Sequence, residues 1–119
     1  MRRIERLQFR MLFAYNDDGR LEVVEDVAEA RANFAAADVE AGVIRLFDEN
    51  GRYMAPHFPQ RTEKKFLGMK LSSNPGPFDL RPAAASAEKL LDELGPTIVV
   101  MPNRWFKDID AVRAHLASR

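Results

Sequence analysis

The chain has 119 residues, 46% of them hydrophobic and 30% charged, with 18 basic side chains against 18 acidic ones. That is the length of one ordinary domain, able to bury about two-thirds of its unfolded surface, and the composition excludes a disordered or fibrous chain. With no cysteine there is no disulfide framework, thiolate metal site or cysteine nucleophile, and no apolar run nears the ~20 residues of a membrane helix.

The basic start, Met1 to Arg6, leads into an amphipathic strand rather than a signal-peptide block, so the expected setting is cytoplasmic. The charges are segregated along the chain. Residues 1–16 carry four arginines against one glutamate, and residues 17–51 carry ten acids against three arginines. Residues 52–82 carry six basic groups against two acids, and residues 83–119 balance. A bipolar surface is possible if folding does not mix these blocks.

From Leu7 to Tyr15 every odd-numbered residue is large and apolar or aromatic. Strand side chains alternate, so Leu7, Phe9, Met11, Phe13 and Tyr15 form one stripe that later helices must cover. Asn16-Asp17-Asp18-Gly19 is a turn, and Leu21–Val24 returns as a second strand. A helix follows, with Asp26 as N-cap and Glu29 completing a capping box. Val27, Ala30 and Phe34 would face the sheet, and the helix should run to about Asp38, with Gly42 marking the break.

Val43–Phe47 and Arg52–Ala55 read as a second hairpin around Asn50-Gly51, the signature of a type I′ turn. Its turn repeats the first one 32 residues on, and two hairpins with ordinary turn chemistry account for the match more simply than a duplicated unit. Pro56 and Pro59 should interrupt the ladder. Lys65–Leu71 then reads as one alternating strand with Leu67, Met69 and Leu71 inward, and Phe78–Arg81 as a short strand.

A second helix is expected from Ser86 to Leu94, burying Ala87, Leu90, Leu91 and Leu94, and Gly95-Pro96 ends it. Thr97–Met101 is apolar on both sides and reads as a central strand covered on both faces. Asp108 caps a last helix carrying Ile109, Val112 and Leu116. The order predicts a single α+β domain over 1–119, with a largely antiparallel sheet of about five to seven strands and three helices.

Chemistry-bearing motifs are sparse. His57 and His115 stand in no ligand spacing, and the acidic turns lack the calcium-loop pattern, so neither metal nor cofactor is expected. No nucleophile elbow or phosphate-cradling glycine loop is present, which makes an enzyme the weaker reading. The most suggestive stretch is 61–70. If its apolar residues point inward, Lys64, Phe66 and Lys70, supported by Arg61 and Lys65, form a basic outer face. Trp105, beside Phe106, is a second contact candidate, with one ring expected in the core and the other as a partly exposed anchor.

In size and style the chain suits a small cytoplasmic bacterial interaction domain, of the kind found among immunity proteins and small regulators. The expected activity is non-enzymatic binding to another protein or to itself. A nucleic-acid-binding module using 61–70 is the alternative, and a cofactor-free enzyme the third. No membrane partner is expected.

Overall fold

The computed structural model describes residues 11–59, 62–66, 69–84 and 88–118. Among the described residues eight strands and four helices follow in the order β1 (Leu12–Asn16), β2 (Arg20–Val24), α1 (Val27–Asn33), α2 (Ala36–Glu40), β3 (Ile44–Phe47), β4 (Tyr53–His57), β5 (Thr62–Phe66), β6 (Met69–Asn74), β7 (Asp79–Pro82), α3 (Leu90–Glu93), β8 (Val99–Val100) and α4 (Ile109–Ala117). Six strands form one sheet in the order β7-β4-β3-β1-β2-β8, antiparallel throughout except for the β2–β8 pair. The chain is an α+β domain. Strands β5 and β6 form a separate two-stranded ribbon.

β1 is apolar on both faces, and both faces are covered. Leu12 and Ala14 join Val24, Ala30, Phe34, Val39, Ile44, Leu46 and Phe78 in the layer under α1 and α2. Met11 and Phe13 join Leu21, Phe47, Leu90, Leu94, Val112 and Leu116 in the layer under α3 and α4. The odd-numbered stripe is therefore in the core at Met11 and Phe13, while Tyr15 is half-buried. Leu7 and Phe9 lie outside the described residues. Helices on both faces make the sheet the middle of three layers.

Both hairpins turn alike. Tyr15 pairs with Leu21 and Phe47 with Tyr53, enclosing five residues each, and the central three (17–19 and 49–51) make the loops. Gly19 N–H donates to the Asn16 carbonyl and Gly51 N–H to the Asp48 carbonyl, and the two glycines have φ of 93° and 79°. This is the three-residue loop ending in a left-handed glycine. The type I′ turn expected at Asn50-Gly51 is therefore not the one used. The buried Asp48 explains the choice, since its Oδ1 accepts from the N–H groups of Asn50 and Arg52 and draws the chain around itself.

The two hairpins are also related across the sheet. Phe13 pairs with Phe47, Ala14 with Leu46, and Tyr15 with Arg45. Since Ala14 and Leu46 are themselves 32 residues apart, a local two-fold through that pair carries β1 onto β3, Phe13 onto Arg45 and Tyr15 onto Phe47. The mates differ in what covers them. Phe13 stacks on Phe106, whereas Arg45 meets carboxylates.

Four further sequence expectations are corrected. First, the helix after β2 stops at Asn33, with Phe34 and Ala35 extended, and α2 starts anew. In one continuous helix Phe34 and Val39, five residues apart, would lie about 140° apart. The break lets both bury. Asp26 caps α1 by accepting from Glu29 N–H, but Glu29 reaches back to Glu25 N–H rather than to the cap itself. Second, β4 runs through Pro56, which is tolerated because the pairing with β3 has already ended at Met54 and only β7 lies alongside.

Third, the Ser86–Leu94 helix is the single turn α3. Leu90 and Leu94 are buried as expected, Leu91 is exposed, and Ser86 and Ala87 lie outside the described residues. Fourth, Thr97–Met101 is not central. β8 is a two-residue edge strand and Val99 is 57% exposed. Val99 N–H donates to Gly19 and Met101 N–H to Leu21, so the backbone groups of Val100 face the open side. Pro102 has no N–H, and Ile98 N–H already bonds Gly95, so the open edge is blunted to one residue. The last helix is as expected, with Asp108 accepting from Ala111 N–H and Val112 and Leu116 buried.

Candidate interaction site

The basic stretch 61–70 is not one strand. β5 and β6 run antiparallel, with Lys65 opposite Lys70, Phe66 opposite Met69 and Lys64 opposite Ser72. A register shift between Lys64 and Lys65 leaves Leu71 as the extra residue of a bulge. The single outer face expected for Lys64, Phe66 and Lys70 is replaced by a ribbon whose two strands share the lysines. A glycine inside a run is a weak strand interior, and Leu67-Gly68, outside the described residues, falls between the two strands. Arg61 also lies outside the described residues.

The ribbon leaves the sheet from one end. β4 ends at His57 and β7 begins at Asp79, and these two residues pair. Following the strand directions, that end is also where β1 turns into β2 and β3 begins. The turn carries Asp17 and Asp18, both exposed. Asp17 N–H donates to the Val43 carbonyl, and Val43 N–H donates to the carbonyl of Asp38, which brings exposed Asp38 beside the turn. Glu40 closes α2 nearby. Arg20 is the basic group at this turn, bonded to Asp18 through Nε at 2.8 Å. The sheet end is acidic and the ribbon rooted beside it is basic.

Trp105 lies elsewhere, along the β8 edge. The Arg104 guanidinium sits 4.5 Å from its ring centroid and pairs with Glu25 at 2.7 Å. Asn103 Oδ1 accepts from the N–H groups of Trp105 and Phe106, and its Nδ2 donates to the Met101 carbonyl. Both rings are half-buried against the α3–α4 layer, so neither is wholly inside nor free of it. Trp105 follows β8 at one edge of the sheet order, whereas the ribbon is rooted on β4 and β7 at the other.

One polar cluster escaped the sequence reading. Arg45, on β3, lies 5.2 Å from the Tyr15 ring centroid and pairs with Glu88 and, at 3.1 Å, with Glu93. The Arg45 hydrogen bond holds the Glu93 carboxyl below its usual range against some burial, with the guanidinium charge adding to it. The same bond raises the Arg45 value. Burial pushes the neighbouring Tyr53 phenol up, with the Glu88 charge adding and the Arg45 charge opposing. The available signal was an arginine in phase with Phe47, on the core side of an apolar strand. Its carboxylate partners are more than 40 residues away and gave none.

His115 Nε2 lies 2.8 Å from the Glu49 carbonyl oxygen, and His57 is half-buried at the end of β4. Among the described residues no group of three or more histidines and carboxylates could hold a metal ion, and no helix is long and apolar enough to cross a membrane. No protein-family model, curated protein or solved structure matches the chain.

Proposed function

We propose that the chain is a non-enzymatic binding domain of the cytoplasm whose basic ribbon, Lys64, Lys65, Phe66 and Lys70, docks on an acidic protein surface. Arg61 adds its charge from the adjoining sequence. The observation that carries this reading is the register that sets Lys65 opposite Lys70. Like charges directly opposite destabilise an antiparallel pair, and a lone two-stranded ribbon is marginal in water. A carboxylate-rich partner supplies the missing attraction and covers the ribbon.

The test uses a fluorescent poly-glutamate peptide and, in parallel, a DNA duplex of equal charge. The wild type should bind the peptide in low salt, and Lys65→Glu with Lys70→Glu should weaken it at least tenfold. Tighter binding to the duplex, with the steep salt slope of counterion release, would replace the proposal with the nucleic-acid reading. Equal peptide binding by both proteins would discard the ribbon.

A further inference from the structure

Resting on that reading, we infer that the acidic surface the ribbon takes is the sheet end of a second copy of this chain, in a two-fold symmetric dimer. The argument is one of placement and charge. The described strands of the ribbon carry three lysines and one glutamate. The sheet end from which the ribbon springs carries Asp17, Asp18, Asp38, Glu40 and Asp79 against Arg20 and Arg31, with Asp18 paired to Arg20 and Asp79 to Arg31. The chain as a whole is neutral, so the two regions are oppositely charged parts of one balanced molecule.

Both regions lie at the same end, and they are offset sideways. The ribbon is rooted on β4 and β7, whereas the Asp17–Asp18 turn joins β1 to β2, with β3 between β4 and β1. Strands are spaced about 4.8 Å apart, so root and turn stand about 10 Å or more apart across the sheet. A two-fold axis that sets two such ends face to face lays each ribbon on the other copy's acidic end. Two identical contacts then form together, and the second is intramolecular once the first has formed. Same-end placement lets both contacts form about one two-fold axis with the two sheet ends facing each other.

Charge reversal tests the pairing on both sides. The ribbon variant is Lys65→Glu with Lys70→Glu, and the end variant is Asp17→Lys with Asp38→Lys. In sedimentation at about 0.1 mM protein and low salt the wild type should contain dimer, and at about 0.5 M salt its association should weaken at least tenfold. Each variant alone should be monomeric. Mixed in equal amounts they should form a dimer, because each reversed surface then meets a complementary one. If circular dichroism shows the end variant unfolded, Asp17→Asn with Asp38→Asn replaces it, and the mixture is then expected to associate through one contact only. A wild type that stays monomeric in low salt overturns the inference, and if it still binds poly-glutamate the proposed function survives alone. Dimers that persist in either variant, or a mixture that stays monomeric beside a dimeric wild type, also overturn it.

Discussion

Gly51 lies under Leu116: a methyl group on its α-carbon would stand 2.9 Å from Leu116 Cδ2 and 3.5 Å from Leu90 Cβ. The second hairpin turn thus touches both helices of one core layer, and Leu90 N–H donates to the Gly51 carbonyl at 2.8 Å. Gly51→Ala meets overpacking as well as positive φ, and should cost about 2–4 kcal/mol in urea unfolding. Gly19, with the same turn but open space around it, isolates the backbone part. Gly19→Ala should cost only about 1–2 kcal/mol. Equal losses would show that Leu116 yields freely.

Met11 is 3% exposed in the same layer. Met11→Asp puts an unpaired carboxylate into the core, and the expected cost of about 4 kcal/mol or more is a large share of a domain's whole stability. Far-UV circular dichroism should show a largely unfolded protein. Near-wild-type melting would mean that the first strand's faces are reversed.

Arg45 ties α3 to the sheet by ionic bonds that depend on pH. Because the Glu93 value is lowered from 4.5, its contribution is present above that pH and is lost as pH falls through the depressed value. Arg45 stays charged throughout. Arg45→Met should therefore cost more stability at pH 7 than at pH 3, read from urea midpoints at the two values. Equal costs would assign the residue's worth to its contacts with Tyr15 and Phe47 alone.

One carboxylate of each acidic turn is already used on the chain itself. Asp48 Oδ1 accepts two backbone N–H groups, and Asp18 bonds Arg20 through both Nε and the backbone. Millimolar calcium should leave the melting temperature unchanged. A rise of several degrees would show that one turn closes around the ion.

Val99, half open to water on the blunted edge, should accept a charge. Val99→Lys is expected to change stability by no more than about 0.5 kcal/mol, as at ordinary surface sites. Loss of cooperative unfolding would restore the covered strand that the apolar run suggested.

What was legible in the sequence followed from period and local chemistry. The stripe through Met11 and Phe13, both helix caps at Asp26 and Asp108, and the buried trio Ala30, Val112 and Leu116 need only residues within one or two turns. What was not legible depended on distant partners. Thr97–Met101 is as apolar as a central strand, and only pairing with Arg20 and Leu21 puts it at an edge. The helix break at Phe34 follows from where the sheet needs Val39. The ribbon was missed because lysines and apolar residues alternate across Leu67-Gly68 as if the strand continued, and the Arg45 cluster because its carboxylates come from the far side of the ribbon.

The parallel pair of β2 and β8 joins residues nearly 80 positions apart, and this orders events on the ribosome. By the time Phe47 has emerged, most of the layer under α1 and α2 is present, lacking only Phe58, Phe78 and Leu80. The opposite face of β1 and β3, with Phe13 and Phe47, has no cover until Leu90 and then Val112 and Leu116 are made. A nascent chain thus carries a half-finished sheet, wet on one side, for most of its synthesis, and a ribosome stalled before residue 112 holds a sticky intermediate rather than a domain.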